Sequence, residues 1–502
     1  MDNTVNYLGG EKTYWGICGL GHDGALSVVK GGEILFAGHT ERYTRQKNDP
    51  DLCPEIINEA LEYGEPDKVI WHERPWQKKR RQLYSGQFNE AFSLGNLPSQ
   101  YMKTVFKTKL SYVGHHKSHA AAGAFTSPYE SACVIVADAI GEFDTISIWD
   151  YVAPGKLTRL KTYQYPNSLG LLYSAFTQRV GLKPNEEEYI LMGMAAYGDP
   201  KRYKARILTD MFNLKGMPDV HFKINLHKGC PRWAPDIKTE QDYFDLAAAT
   251  QEIYEEIFDG IVCHWRGKLP SRNLVLAGGC ALNCVANGKA SQWYDKIWIM
   301  PNPGDAGSAI GAVAAHLRKQ LNWTSPLLGH DIQGNYPHQS ALRALRKNEI
   351  FGVASGKAEF GPRALGNRSL LADPRGLEIK DMVNQIKRRQ KFRPFSPAIL
   401  EEDVHEYFAL PTPVKKAPYM QYTATYTHGK DCPAIIHHDG TSRVQTVRKS
   451  DNEGFYELLK AWKKETGCPI LLNTSLNIKG MPMVNDTKDG KDWTNKYGVK
   501  VL

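Results

Sequence analysis

The chain has 502 residues, of which 42% are hydrophobic and 23% charged, a globular composition that excludes a disordered or collagen-like chain. Its length predicts two to four domains. The net charge of +9 is compatible with a polyanionic partner, but an enzyme that handles several phosphates also needs many cations.

No apolar run approaches the roughly 20 residues that span a bilayer, and the N-terminus lacks a signal-peptide pattern. The nine cysteines are scattered without a CxxC pair, so we predict a cytoplasmic protein with reduced thiols and no membrane partner.

A strand–turn–strand–turn–strand pattern comes first, with apolar runs at residues 14–20, 25–29 and 34–37. The same pattern recurs at residues 132–137, 145–149 and 157–163. Two copies of one hairpin pattern predict an internal duplication. Each copy has a glycine-bearing turn after its first strand, at residues 21–24 and 138–144, where backbone N–H groups can approach a phosphate.

The stretch between the two copies is mostly helical, with helices predicted at residues 54–63 and 119–125. Residues 74–87 form a basic run that is interleaved with aromatic residues. Such a run can contact a nucleic-acid backbone and stack on bases. It can equally be a solvated helix with one tryptophan anchored in the core, and both interpretations stay open.

After the second copy, the spacing of apolar residues predicts a long amphipathic helix at residues 242–265. Strands are predicted at 273–277 and 296–300, and a helix rich in small residues at 306–317. The composition shifts at residues 335–339, where short motifs rich in Arg, Pro, Asn and Ser begin. We therefore predict two domains, residues 1–337 and 338–502.

Four residues are predicted to form a metal site. His115 and His119 are four apart, which places them on one helix face, whereas Lys117 points away from that face. Asp138 and Asp305 each follow an apolar run that breaks into glycine. Imidazole and carboxylate ligands suit Fe(II), Mn or Zn, so these residues predict a nucleotide-using metalloenzyme.

Three glycine turns, at residues 21–24, 138–141 and 278–281, each follow a predicted strand. A single such turn usually marks only a change of direction. Three in one duplicated domain predict two phosphate loops and one adenosine loop, as in the actin-like ATPase fold, with Gly278, Gly279 and Asn283 contacting the nucleotide. His22 is either a turn residue or a general base near the phosphates.

The second domain concentrates cations in four segments flanked by strand-like runs and prolines. Arginine binds phosphate in a bidentate manner, and Ser or Asn completes the oxygen shell. The residues predicted to bind nucleotide or a phosphorylated substrate are Arg363, Arg368, Arg443, Asn473 and Ser475. We assign catalytic roles to Lys391 and Arg393.

Several motifs resemble the O-carbamoyltransferases of nodulation-factor, cephamycin and tobramycin biosynthesis. They are GHDGALSVV, HHKSHAAAGAF, LAGGCALNC, NPGDAGSAIGA, GKAEFGPRALGNRSLLADPR, FRPFSPAIL and LLNTSLNIKG. The resemblance covers nearly the whole chain. It implies an α/β first domain with the duplicated actin-like (ASKHA) ATPase fold, followed by an α+β second domain with a YrdC-like twisted sheet.

The resemblance also implies a reaction at two sites. The YrdC-like domain would use ATP and carbamoyl phosphate to form carbamoyl-adenylate, releasing phosphate and pyrophosphate. In the first domain, Fe(II) held by residues matching His115, His119, Asp138 and Asp305 would bind the phosphate of this intermediate. A base matching His22 would activate the acceptor hydroxyl, and AMP would leave. Mn or Zn are alternatives to iron, Mg is a further candidate cofactor, and a homodimer is left open.

Two features depart from the family pattern. Met481 follows the NIKG motif, where family members commonly have glutamate. The sequence also stops at Leu502, where relatives usually carry a further segment. How the tail closes the second domain is therefore an open question at this stage.

The motifs do not identify the acceptor of the carbamoyl group. Our leading hypothesis is a hydroxymethylated base in DNA or its nucleotide, because of the positive charge and the basic-aromatic run at residues 74–87. The rival hypothesis is a sugar or antibiotic hydroxyl. A third alternative is a nucleotide-binding scaffold without transfer activity, which the cation-rich motifs of the second domain argue against. Threonylcarbamoylation of tRNA is disfavoured by the order of the two domains.

Overall fold

The structure is a computed structural model, and it describes residues 11–105, 108, 110–213, 218–429 and 431–502. Strands and helices form a mixed α/β architecture with several sheets that combine parallel and antiparallel pairs. Among the described helices, none is both long and apolar enough to cross a bilayer. All nine cysteines are free thiols, as the scattered spacing predicted.

The first sheet has the strand order β3-β2-β1-β4-β5. Its first three strands are antiparallel neighbours, and the last two run parallel to β1. The predicted hairpin pattern is confirmed, with shifts of one or two residues at the strand ends. The strands are β1 (Thr13–Cys18), β2 (Ala25–Lys30), β3 (Glu33–His39), β4 (Lys68–Trp71) and β5 (Leu110–Tyr112).

The second sheet repeats this arrangement, with the order β8-β7-β6-β9-β10 and the same strand directions. The predicted duplication is therefore confirmed. The predicted turn at residues 138–144 is wrong, because the first strand continues to Gly141 through a break in pairing after Ala137. The strands are β6 (Ser131–Gly141), β7 (Asp144–Val152), β8 (Lys156–Gln164), β9 (Asn273–Ala277) and β10 (Lys296–Trp298).

Two helices rich in small residues, α6 (His115–Ala124) and α12 (Ser308–Leu317), pack between the two sheets. They approach each other and the first sheet so closely that side chains do not fit at the contacts. A Cβ on Gly311 would lie 1.9 Å from the Ser118 carbonyl oxygen, and one on Gly16 would lie 1.8 Å from that of Ala309. This close packing brings the first turns of both helices to one place.

Further helices surround the first domain. The longest, residues 240–266, begins with a capping box in which Thr239 and Asp242 satisfy each other's backbone N–H groups. It covers the outer face of the second sheet. These helices are α1 (Thr40–Thr44), α2 (Pro54–Glu62), α3 (Pro75–Tyr84), α4 (Phe88–Phe92), α5 (Pro98–Tyr101), α7 (Leu169–Arg179), α8 (Glu188–Met194), α9 (Lys204–Met211), α10 (Glu240–Arg266) and α11 (Cys284–Ala290).

The C-terminal part is built on a five-stranded sheet with the order β12-β14-β20-β15-β19. Successive residues of its strands alternate between two cores, since Leu370 faces one and Leu371 the other. Two smaller sheets, β11-β13 and β16-β17-β18, complete it. The strands are β11 (Leu327–Ile332), β12 (Phe351–Ala354), β13 (Gly356–Glu359), β14 (Arg368–Ala372), β15 (Ser396–Leu400), β16 (Phe408–Ala409), β17 (Thr423–Tyr426), β18 (Thr441–Arg443), β19 (Gln445–Val447) and β20 (Ile470–Ser475).

Helices cover both faces of this sheet, which is why its strands are buried throughout. The helices are α13 (His338–Arg346), α14 (Ile379–Ile386), α15 (Val404–Tyr407), α16 (Glu453–Thr466) and α17 (Thr487–Tyr497). The boundary near residue 337 and the actin-like and YrdC-like assignments stay predictions. Strand β11, which precedes that boundary, pairs with β13, which follows it.

The C-terminal residues contribute to this sheet. The Gly352 N–H donates to the Lys500 carbonyl at 2.8 Å, and the Ala354 N–H donates to that of Leu502 at 3.0 Å. These bonds satisfy backbone groups along the edge strand β12. Residues 500–502 therefore cover part of the free edge of β12.

The close packing around Gly16 generates a stability prediction. We expect Gly16→Ala to lower the free energy of unfolding by about 1–3 kcal/mol, because the added methyl group displaces the α12 backbone. The control is Gly193→Ala, since a Cβ there meets nothing within 4 Å and alanine favours the helix. Thermal unfolding followed by circular dichroism measures both, and equal midpoints would contradict the packing argument.

Candidate metal centre and anion site

Four side chains converge in the space between the two sheets: His115, His119, Asp138 and Asp305. The His119 Nε2 atom lies 3.1 Å from His115 Nε2 and 3.1 Å from Asp305 Oδ1. His115 Nε2 lies 3.2 Å from Asp138 Oδ2. The four donor atoms lie within 4.8 Å of one another, and the side chains are buried or nearly so. The sequence-predicted cluster is therefore assembled in space.

Local structure explains this convergence. His115 is the first residue of α6, and His119 follows one turn later on the same face. Asp138 lies in β6 where pairing with β7 is interrupted. Asp305 begins a short 3-10 turn that leads directly into α12. The donors thus come from the second sheet and from the two helices packed between the sheets.

The donor set fits a transition-metal ion. Ligand atoms bonded to one ion at about 2.0–2.2 Å lie roughly 3.0–3.6 Å apart, and the imidazole–carboxylate distances of 3.1–3.5 Å agree. Two imidazoles and two carboxylates suit Fe(II), Mn or Zn. Two buried carboxylates also need positive charge close by. Which metal is bound stays a prediction.

The electrostatics of the cluster show how protons substitute for a cation. Burial opposes the charged form of His115 and His119, but the carboxylates of Asp305 and Asp138 outweigh it and raise the pKa of both rings. Burial also disfavours the carboxylate of Asp305, but His115 and His119 lower its pKa well below the usual value. Protons therefore compete with a metal ion for the ring nitrogens of these histidines.

Surrounding groups orient the donors. The Ser308 hydroxyl lies 3.2 Å from His119 Nδ1, and the Gly279 N–H donates to Asp138 Oδ1 at 3.3 Å. Glu73 Oε2 lies 3.8 Å from His115 Nδ1. Burial opposes the carboxylate of Glu73, but Lys78, His115 and His72 together lower its pKa to about 2. Such outer groups fix the tautomer and direction of metal-binding imidazoles.

His22 lies at the exposed edge of the cluster. Its Nδ1 atom is 3.0 Å from Asp23 Oδ2, and its Nε2 atom is 3.6 Å from Asp305 Oδ2. Desolvation opposes the imidazolium, but the hydrogen bond to Asp23 and the charge of Asp305 raise the pKa of His22 to about 10. The side chain is half exposed, so it is accessible from the solvent side of the centre.

The glycine loop after β9 connects this centre with the second domain. Gly278 has φ +86°, and a Cβ there would lie 2.2 Å from the Ala137 carbonyl oxygen. The loop therefore presses against β6 at Asp138. Asn283, predicted to contact nucleotide, instead caps α11 by accepting from the Ala286 N–H and also pairs with Gln251. The structure gives this side chain a framework role.

Arginines of the second domain gather at the far end of that loop. Burial and the charges of Arg443 and Arg393 lower the pKa of Arg363 to about 9, although Cys284 at the start of α11 and Tyr189 act in the opposite direction. Arg393 lies over the Tyr189 ring at 4.8 Å. Glu187, which the charge of Arg393 reaches, forms its ion pair with Lys479 at 3.1 Å. An anion is therefore the natural counter-charge of this group, which we call the arginine cluster (Arg363, Arg393 and Arg443).

Not every predicted residue joins this cluster. Arg368 is fully buried, and its guanidinium donates to the carbonyls of His330, Ser355, Gly356, Asn367 and Asn485. It holds the framework together rather than facing the arginine cluster. Asn473 is buried and donates to the Ala364 carbonyl and to Gln445.

The cation-rich run at residues 383–393 contains two lysines in different surroundings. Lys391 is exposed, whereas Lys387 is buried and donates to Ser475 and Asn477. Burial and the neighbouring Arg389 and Arg393 lower the pKa of Lys387 well below its usual value. The signal in the sequence was its position one turn after Val383, which points Lys387 inward.

Comparisons with known proteins agree with the resemblance seen in the motifs. The family model described as Carbamoyltransferase N-terminus matches residues 70–314, and the model described as Carbamoyltransferase C-terminus matches residues 342–502. The chain belongs to the carbamoyltransferase family and is a transferase. The predicted family membership is confirmed.

Three relatives illustrate the range of this family. An uncharacterized protein of Synechocystis sp. is 33% identical over 94% of this chain and 92% of its own length. The nodulation protein NolNO of Sinorhizobium fredii is 32% identical over 93% and 76%, respectively. The 3'-hydroxymethylcephem-O-carbamoyltransferase of Amycolatopsis lactamdurans is 26% identical over 93% and 94%.

The proton-loaded donors predict that metal affinity depends on pH. Because the pKa values of His115 and His119 are raised above 6.5, we expect Mn(II) or Fe(II) affinity to rise as pH increases from 6 to 8, with protons released on binding. Calorimetry in buffers of different ionisation enthalpy measures both quantities. Asp305→Asn should reduce affinity at least about tenfold, and pH-independent binding without proton release would contradict the assignment.

Arg443 and Arg368 lie in different surroundings, so replacing each should affect the stability of the protein differently. Arg443→Met removes one of several mutually repelling cations, so we expect unchanged or higher thermal stability and weaker binding of inorganic pyrophosphate. Arg368→Met leaves buried carbonyls without donors and should cost at least about 3 kcal/mol of unfolding free energy. Calorimetric titration and thermal unfolding distinguish the two, and destabilisation by Arg443→Met with full pyrophosphate binding would be the contrary result.

Proposed function

We propose that the protein is an ATP-dependent O-carbamoyltransferase that works at two sites. The observation that carries this proposal is the pairing of a buried His2Asp2 cluster with the arginine cluster, joined by one short segment. Gly279 bonds to Asp138 of the first site, and Cys284 lies beside Arg363 and Arg443 of the second. The relative named as an O-carbamoyltransferase of a hydroxymethyl group supports oxygen as the accepting atom.

The first step is assigned to the arginine cluster. Water cleaves carbamoyl phosphate to carbamate and phosphate, and a carbamate oxygen then attacks the α-phosphorus of ATP, so that pyrophosphate leaves and carbamoyl-adenylate remains. Arg363, Arg393 and Arg443 supply unpaired positive charge for the phosphate oxygens. Lys387 holds the Ser475 strand end in place through its bonds to Ser475 and Asn477. Lys391, which is exposed, remains a predicted catalytic residue.

The second step is assigned to the His2Asp2 cluster. A bound Fe(II), Mn or Zn ion would neutralise the charge that develops on the departing phosphate. His22 takes the proton of the acceptor hydroxyl as its oxygen attacks the carbamoyl carbon, and AMP leaves. His22 can accept a proton only when its pKa falls from about 10. Neutralising the charge of Asp305, one of the causes of that shift, acts in this direction.

For the acceptor we propose a hydroxymethylated base in DNA or its nucleotide. The support is the exposed aromatic and basic character of residues 74–94 beside the centre. The anchored-tryptophan alternative is contradicted, because Trp76 is 65% exposed. A sugar or antibiotic hydroxyl is the alternative substrate for the same chemistry.

Because the two steps are assigned to different residues, a substitution should block one step and leave the other intact. With ATP and carbamoyl phosphate, we expect pyrophosphate release by the native protein, loss of release in Arg363→Met, and retained release in His22→Ala. In His22→Ala, mass spectrometry of the acceptor should show at least about a hundredfold less carbamoyl addition. Absence of pyrophosphate release from the native protein would favour a scaffold, and full transfer by His22→Ala would remove the base assignment.

A further inference from the structure

Helix α3 exposes large apolar side chains and buries polar ones, which is the reverse of an ordinary surface helix. Trp76, Arg80, Leu83 and Tyr84 share one face by their spacing, and this face is exposed. The opposite face buries Pro75, Lys79 and Gln82, so two of its three buried side chains are polar. Surface helices usually bury their apolar stripe, so the exposed stripe of α3 calls for a partner.

Lys79 holds the next segment against α3. Its ammonium donates to the carbonyls of Glu90 and Ser93 and to Asn96 Oδ1. The side chain is almost fully buried, so these bonds fix the segment containing α4. The segment presents further apolar side chains to solvent, namely Phe88, Phe92 and Leu94.

We call the exposed apolar side chains of α3 and of the segment that Lys79 fixes to it the aromatic face: Trp76, Leu83, Tyr84, Phe88, Phe92 and Leu94. Four of the six carry rings. Their exposed fractions include 65% for Trp76, 69% for Tyr84 and 71% for Phe92. Open ring faces can stack on any base of a single strand, at about 1–3 kcal/mol for each base.

The charge around the aromatic face is positive. Residues 74–103 contain six cations (Arg74, Lys78, Lys79, Arg80, Arg81 and Lys103) and Glu90 as the single acid. Lys79 is internal, and Arg74 and Lys78 pair with Glu142 and Glu73. Arg80, by contrast, is exposed within the aromatic face, where it can meet a phosphate.

The start of α3 lies beside the centre where transfer is proposed. Lys78 donates to the Leu20 carbonyl at 3.1 Å, next to the turn that carries His22. Glu73, two residues before α3, faces His115. The helix that carries part of the aromatic face therefore begins next to the exposed edge of the metal cluster.

We propose that the aromatic face is the docking surface for a single-stranded stretch of nucleic acid that carries the acceptor base. This inference rests on the proposed function and names how its acceptor is held. A second copy of the chain fits less well, because a two-fold interface would bring the same positive surface against itself. A lipid surface is the competing occupant that the experiment separates.

The test measures binding of an unmodified, fluorescent single-stranded oligonucleotide of about 15 nucleotides by anisotropy, without ATP. We expect Trp76→Ala combined with Phe92→Ala to weaken binding at least about tenfold, with an unchanged melting temperature. Arg80→Ala should weaken binding and reduce its salt dependence. The matched control is Leu377→Ala, an 85% exposed side chain in the C-terminal domain, which should bind as the native protein does.

Unchanged oligonucleotide binding in the double variant would overturn the proposal. The proposal would also be overturned if the double variant lost binding to anionic phosphatidylserine vesicles while it still bound the oligonucleotide. The same holds if it lost a dimer in sedimentation but kept oligonucleotide binding. Pyrophosphate release is measured on the same variants and should be unchanged. Absence of pyrophosphate release from the native protein would refute the proposed function. Oligonucleotide binding would still test the docking surface independently.

Discussion

The meeting of two imidazoles and two carboxylates in a buried space is the constraint on which this structure depends. The imidazole–carboxylate distances of 3.1–3.5 Å require α6 and α12 to pack closely between two sheets. Gly16 and Gly311 permit this approach because no side chain stands between the backbones. Burying two carboxylates is costly unless positive charge accompanies them, so the fold holds a site that must contain protons or a cation.

The duplicated hairpin sheets place this centre, and the loop after β9 extends it toward the second domain. Gly279 contacts Asp138, while Cys284 lies next to two arginines. A narrow cavity lined by Ala281, Pro303 and Arg363 follows the same segment. The two clusters have complementary chemistry, since one gathers three arginines and the other holds two carboxylates.

Much of the fold could be predicted from the sequence, because the patterns that indicate strands and helices involve residues close together in the chain. Apolar runs separated by glycine-bearing turns predicted β1 to β3 and β6 to β8. The metal donors were predicted because His115 and His119 share a face and Asp138 and Asp305 follow apolar runs. Long-range contacts were beyond local patterns: the burial of Arg368 depends on carbonyls from distant segments, and the inversion of α3 depends on Lys79 bonding to residues after it.

The central claim is that one chain makes a carbamoyl-adenylate and transfers its carbamoyl group at a separate centre. The most direct measurement supplies Asp305→Asn with ATP and carbon-labelled carbamoyl phosphate, then separates the quenched products by chromatography. The account predicts label on an AMP-containing species, pyrophosphate release and no labelled acceptor. Label appearing on the acceptor without an AMP-containing species, or without pyrophosphate, would contradict it.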